Sequence, residues 1–291
     1  MSNEVLQLVE AQSKNLEDIS SPQKEKGGKW PFGASSKRLA VLLYHHIGNP
    51  KPGTSHLSLT VTPAKFRRHV RWLRLRGYTA ITPSQWLAYC TTGARLPRKP
   101  IIFTFDDAYA DCATYAFPVL ESFGFPSVVY VITSRVGTST SWDGLPLMNV
   151  EQIQYWDTHG VEIGAHTRTH PDLTAASERE AADEIAGSKE DLMKAGITPV
   201  SFAYPYGCFD ERVRESVQGV FPLAFTCEEG VNNLQTDPLL LRRTMVHPGD
   251  TLLDIEFRAA IGKSPLDWLR SRVRLRTRLK SVLRRLGLLA H

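Results

Sequence analysis

Short runs that are apolar throughout alternate along this chain with longer stretches in which apolar residues return every three or four positions. The runs Arg38–Tyr44 (RLAVLLY), Ile101–Phe105 (IIFTF), Ser127–Ile132 (SVVYVI), Val161–Ala165, Thr198–Tyr204, Leu223–Cys227 and Leu239–Val246 read as strands. Most are apolar on both faces, the pattern of a parallel sheet covered by helices. The helical stretches have legible starts. Thr62-Pro63 sets a cap before a proline at the first helical position, with Phe66, Val70 and Leu73 on one face up to Gly77. Thr82-Pro83-Ser84-Gln85 is a capping-box sequence for a helix ending near Gly93, and Ser177 with Glu180 opens a long one to Lys194. Tyr115–Phe123, Asn149–His159 and Arg212–Val217 read as further helices. Strands interleaved with helices, each connection long enough for a right-handed crossover, predict an α/β protein whose parallel sheet closes or nearly closes into a distorted (β/α)7-type barrel.

The flanks differ from this body. Residues 1–37 are polar and interrupted by Ser20-Ser21-Pro22 and Gly27-Gly28, which predicts a mobile lead segment; 38–262 is expected to form one domain. Residues 263–291 are expected to contain a basic amphipathic helix, with Trp268, Leu275, Leu279, Val282, Leu286 and Leu289 on one seam. The charge concentrates there. After Asp267 the chain carries eight Lys/Arg and no acid, so taking these from the net +5 leaves residues 1–267 at −3. A slightly acidic body argues against nucleic acid as the substrate of the main domain. The basic seam suits an anionic membrane surface, or a helix packed on the barrel or on a partner. No run of membrane-spanning length and no basic-then-apolar leader is present, which predicts a cytoplasmic protein, peripheral on the inner face of the membrane if the tail binds lipid. Cys90, Cys112, Cys208 and Cys227 stand far apart without a CxxC pair, so neither a zinc knuckle nor a disulfide framework is indicated. Oligomeric state has no signal in the sequence.

Candidate chemistry sits at the carboxyl ends of the predicted strands, where parallel α/β folds bind ligands. Asp106 and Asp107 follow Phe105 directly; adjacent carboxylates are costly to bury without a cation, so they mark a metal site or else an acidic turn. Gly164–His170 (GAHTRTH) follows another strand, and its two histidines, His166 and His170, would share one side of a helical turn. With Asp107 they make two imidazoles and a carboxylate, a composition of hydrolytic metal sites that suits zinc first, with cobalt, nickel or manganese compatible. In Ala203-Tyr204-Pro205-Tyr206-Gly207, Pro205 stiffens the turn and Gly207 admits a close approach, so the Tyr206 amide could face the site; a tight turn with two packing aromatics is the alternative. Tyr44-His45-His46 ends the first strand, with His45 toward the same mouth. Trp142, in the loop Arg135–Met148, either stacks on a sugar ring or packs its loop.

TFDD, GAHTRTH and YPYG, in this order and at these gaps, resemble the polysaccharide deacetylases of the NodB-homology superfamily, carbohydrate esterase family four, over about Leu39–Val246. The resemblance implies a NodB-like deacetylase barrel and a metal-dependent de-N-acetylase. Asp106 would be the general base, Asp107, His166 and His170 the metal ligands, and the Tyr206 N–H an oxyanion donor. Tyr204, Pro205 and Trp142 are the expected substrate contacts. Three positions depart from the family pattern. Ala108 replaces the usual glycine. Ala203 replaces the usual arginine, so another group must orient Asp106, for which Arg243 is the candidate. The late Leu-x-His motif of the general acid is matched poorly by His247, whereas Leu43-Tyr44-His45 matches it at the N-terminal end, as in the circularly permuted deacetylases of poly-β-1,6-N-acetylglucosamine. The acid role therefore falls to His45, with His247 as the alternative. The expected reaction is removal of N-acetyl groups from a sugar, oligosaccharide or glycolipid in cell-surface polysaccharide metabolism. A deformylase or amidase on the same scaffold, or a catalytically silent glycan-binding barrel, are the other readings.

Overall fold

The computed structural model describes residues 37–49 and 57–267; the lead segment before residue 37 and the basic tail from residue 268, with the expectations placed on them, lie outside the described residues. The strands are β1 (Ala40–Tyr44), β2 (His46–Ile47), β3 (Thr60–Val61), β4 (Thr79–Ala80), β5 (Pro100–Phe105), β6 (Ser127–Val131), β7 (Val161–Ala165), β8 (Ser201–Ala203), β9 (Leu223–Phe225) and β10 (Thr244–Met245). The α-helices are α1 (Pro63–Leu75), α2 (Pro83–Thr92), α3 (Phe117–Ser122), α4 (Val150–Asp157), α5 (Glu178–Lys194), α6 (Glu211–Gln218) and α7 (Leu252–Ile261). The main sheet follows the path β10-β1-β5-β6-β7-β8-β9, with β4 beside β5, and its pairings are parallel. It curls into the expected (β/α) barrel. The stretch Leu241–Val246 spans the gap between the ends: Leu241 exchanges backbone hydrogen bonds with Ala224 and Thr226 at 2.9 and 2.8 Å, and the Val246 amide donates to Leu43 at 2.9 Å.

Alternation along the strands sorts side chains to two cores. Val41, Ile102, Val128, Tyr130, Ala203, Leu223, Phe225 and Leu241 share one buried cluster with Trp86 of α2. Leu42, Phe103, Phe105, Val129 and Ile163 join the other, against the outer helices. Two-residue steps from the first set reach His45, Asp106 and Arg243, so strand parity alone aims these polar groups into the barrel at its carboxyl end.

The caps form as expected. Thr82 with Gln85 and Ser177 with Glu180 make reciprocal capping boxes, Thr62 accepts from the Lys65 amide, and Gly93 closes α2 in the left-handed region. Three expectations are corrected. The segment read as one helix over Tyr115–Phe123 is a π-type turn, Cys112–Ala116, followed by α3, because Pro118 has no N–H for the preceding turn. Thr198–Tyr204 and Leu239–Val246 hold only the short strands β8 and β10. The two-residue strands β2, β3 and β4 were not expected, being too short to display a period.

Candidate active site

Asp106 and Asp107 follow β5 into a sharp turn, and both carboxylates approach Nε2 of His166, at 4.0 and 3.6 Å. Asp107 and Ala108 take φ of 69° and 58°, left-handed values that cost a residue with a Cβ about 1–2 kcal/mol each. The turn separates the two carboxylates into different environments. Asp106, 3% exposed, receives Nη1 and Nη2 of Arg243 at 2.6 and 2.8 Å, a bidentate pair. Arg243 is fully buried, donates Nε–H to the Thr226 carbonyl at 2.9 Å, and lies 5.5 Å from the Tyr130 ring centre. Burial alone would push the Asp106 carboxyl up; the Arg243 charge, then His166, outweigh it and hold the pKa down at about 2. Arg243 therefore occupies the orienting position that Ala203 leaves open.

Asp107 has no such partner. Its Oδ1 is buried without a hydrogen bond and lies 3.6 Å from Nε2 of both His166 and His170. Burial first, then the charges of Asp106 and Asp143, push this carboxyl up to about 8. Burial also lowers both imidazoles, His170 to about 3, so both are neutral, the state in which histidine binds a metal. His166 gives its Nδ1–H to the Ala203 carbonyl at 2.7 Å, leaving the Nε2 lone pair toward Asp107. The three facing atoms lie within 4.8 Å of one another. Ligands at about 2.0–2.1 Å around a tetrahedral ion stand about 3.4 Å apart, so an orphaned carboxylate oxygen between two unprotonated imidazoles fits a divalent ion. A second carboxylate group, Asp250, Asp254 and Asp267, does not fit one. Arg258 already supplies its cation, bonding Asp250 at 2.7 Å and Asp267 at 2.8 Å.

The expected helical turn over His166–His170 is corrected. The segment is a loop in which Thr167 and His170 take φ of 64° and 68°, and α5 holds it from behind. Glu184 accepts the amides of Arg168 and Thr169 at 2.8 and 2.9 Å and the Thr169 hydroxyl at 2.6 Å; Arg168 forks onto Asp191 at 2.8 and 2.9 Å. Two histidines four apart thus converge by loop geometry rather than by helical spacing.

The remaining candidates divide. His45 keeps a partly exposed edge, yet burial pushes it down to about 4, with the Asp106 charge pulling the other way. Tyr206 is 64% exposed, has φ 58°, and sets its ring 4.7 Å from that of His170. Gly207 is obligatory there, since a Cβ would sit 2.6 Å from the Cys227 backbone. Tyr204 and Pro205, expected as substrate contacts, are both buried, Tyr204 packing against Phe202 and Phe209. His247 engages through its backbone, its amide donating to Asp250 at 2.9 Å; among the described residues no side-chain bond joins it to the acidic pair or the two histidines. Trp142 stands at the rim, its ring 5.5 Å from that of His170. Sequence reasoning missed Tyr109, Asp111 and Asp143 and left His46 without a part. They are isolated polar residues with no periodic signal.

Residues 93–220 match the family model described as polysaccharide deacetylase. This segment is similar to polysaccharide deacetylase domains. YxkH of Bacillus subtilis is 27% identical over 76% of this chain and 75% of that protein. The poly-β-1,6-N-acetyl-D-glucosamine N-deacetylase of Staphylococcus epidermidis is 23% identical over 82% and 89%. Among solved structures, IcaB from Ammonifex degensii superposes with a TM-score of 0.67 at 25% identity, covering 80% of this chain and 97% of that one. The matched residues include Asp106 but not Arg243, which lies just before β10 in the segment that closes the barrel.

Proposed function

We propose that the protein is a divalent-metal-dependent de-N-acetylase of an N-acetylated glycan, of the glucosamine type named for its staphylococcal relative. The observation that carries this reading is the orphaned Asp107 oxygen between His166 and His170, beside an Asp106 kept ionised by Arg243. Asp107, His166 and His170 would hold the ion, with zinc best suited, and a bound ion supplies Lewis acidity to water and to the acetamide oxygen. Asp106 accepts the proton as water attacks the carbonyl carbon. Arg243 keeps that carboxylate charged and fixes its plane. The Tyr206 amide donates to the developing oxyanion, a contribution of about 3–4 kcal/mol in comparable sites. The departing amine needs a proton, and His45 passes it. Because burial leaves His45 neutral at pH 7, that proton is one it takes up during turnover. The silent-barrel alternative drew on Ala203, and Arg243 removes that ground.

The test is metal content together with acetate release from N-acetylglucosamine oligomers, on the wild type and on His166→Ala. Stoichiometric metal and acetate release, both lost in the variant, are expected; metal without acetate redirects the search to formylated or lipid-linked substrates. The same reading keeps the enzyme in the cytoplasm, with the basic segment 268–291 drawing it to anionic lipid in cell-surface polysaccharide metabolism. Cosedimentation with anionic vesicles that survives deletion of that segment removes this part alone.

A further inference from the structure

His166 and His170 face the same carboxylate but are held in different ways. His166 has the outer hydrogen bond that commonly fixes a ligating histidine, from Nδ1 to the Ala203 carbonyl at 2.7 Å. The Nδ1 of His170 is buried and has no partner from any other residue. Rings surround it instead: Trp142 at 5.5 Å, Tyr206 at 4.7 Å and His166 at 4.8 Å between centroids. Tyr206 is largely exposed, whereas Trp142 is tied into a chain of buried polar groups. Its Nε1–H donates to the Tyr109 oxygen at 2.8 Å, and the Tyr109 hydroxyl donates to Oδ2 of Asp143 at 3.0 Å. His46 Nε2 meets that same oxygen at 3.2 Å, while its Nδ1 meets Asp111 Oδ2 at 3.1 Å. Asp143 Oδ1 accepts from the Leu145 amide at 3.0 Å and from the Thr140 hydroxyl. The side chains of His46 and Asp143 are each 1% exposed, and the His46 ring packs 3.5 Å from that of Tyr109. The Arg135 guanidinium lies over the indole at 5.3 Å, so that face of Trp142 is not open to a sugar.

We propose that Trp142 is a positioning residue for His170, and that the buried chain His46–Asp143–Tyr109 serves to fix its indole. Ring packing replaces the outer hydrogen bond that His170 lacks, and one imidazole, His46, anchors it by clamping two loops to the end of β1. This inference rests on the metal-dependent reading above, and it reassigns Trp142 from sugar stacking to holding a ligand.

Tyr109→Phe removes a single hydroxyl, and Trp142→Phe keeps a ring while deleting the N–H, so neither empties the core. Thermal unfolding checks that each variant folds. Titration with Co2+ reads metal affinity. Nitrogen-15 labelling of the histidines in metal-free protein reads the His170 ring signals, which the neighbouring rings shift. Both variants are expected to weaken Co2+ binding about tenfold to hundredfold, and to move the His170 signals toward those of a mobile histidine while those of His166 stay in place. Unmoved His170 signals overturn the inference whatever the affinity does. Unchanged affinity with a raised KM for glycan oligomers overturns it too, and makes Trp142 a sugar-binding residue. A wild type that binds no Co2+ sinks the metal-dependent reading instead, and the metal-free His170 signals still decide the positioning role.

Discussion

At the scale of single residues the site depends on how two neighbouring aspartates are made unlike. Asp106 is tied to a buried guanidinium and Asp107 is left open between two imidazoles. Arg243→Lys keeps the positive charge but not the two-pronged bond, so the Asp106 plane is no longer fixed. Deacetylation is expected to fall about 100-fold, the effect of an ångström-scale misplacement, while metal content stays at the wild-type level by elemental analysis. Arg243→Met leaves a buried carboxylate unpaired and is expected to cost about 3–5 kcal/mol in urea unfolding. His45 has a different signature. If it serves only the departing amine, His45→Ala should lose acetamide hydrolysis yet retain hydrolysis of an aryl acetate, whose leaving group needs no proton. Asp106→Asn should lose both, and equal losses for both substrates in His45→Ala would take the acid role from it. The sequence made Asp106, Asp107, His166 and His170 legible because adjacent acids and spaced histidines are local patterns. It pointed to Arg243 only through the gap at Ala203, since the bond spans 137 positions. It could not show that Tyr204 turns inward, because a turn with two tyrosines is silent about which of them is exposed.

At the scale of elements, helix ends were the most legible feature, since a cap is a contact between residues three apart. The histidine loop was not, because its shape comes from α5 rather than from its own residues. Glu184 binds two amides and a hydroxyl of that loop, so Glu184→Ala frees three donors at once. Hydrogen bonds to a charged group contribute about 1.5–3 kcal/mol each, and the loop should loosen before the barrel does. The expected result is weaker metal binding by isothermal titration, with the midpoint of thermal unfolding lowered by less than in Arg243→Met. Helix α1 carries a second testable feature. His69 is buried, 3.3 Å from the Tyr44 hydroxyl, and burial followed by the charges of Lys65 and Arg68 pushes its pKa down to about 3. The unfolded chain takes the proton near pH 6.5 and the folded one does not, so this group costs stability as pH falls from 6.5 toward 3 and costs nothing above that window. The slope is at most about 1.4 kcal/mol per pH unit. His69→Phe should flatten the acid side of the stability profile measured by urea unfolding, and an unchanged profile would show that other groups set it.

At the scale of the whole molecule, the barrel must be closed for its two ends to contribute to one site. Leu239–Val246 reads from sequence as an ordinary strand, yet it gives its first part to β9 and its last part to β1. Nothing in its apolar pattern distinguishes one partner from two. Asn232 fastens this arrangement. Its backbone exchanges hydrogen bonds with Leu39 at 2.9 Å in both directions, and its fully buried side chain donates to the Arg242 carbonyl at 2.9 Å and accepts from the Arg242 amide at 2.8 Å. One residue thus links Leu39, just before β1, to the residue before Arg243. Asn232→Ala removes both side-chain bonds and leaves two backbone groups without partners, at a cost of about 2–3 kcal/mol. The loss should be felt at the seam. Amide exchange across 241–246 is expected to quicken more than across β6 and β7. Turnover should fall through the Asp106–Arg243 register, while metal affinity holds because Asp107, His166 and His170 come from strands away from the gap. Equal quickening throughout the sheet would mean that Asn232 supports the barrel generally and that the seam has no separate stability of its own.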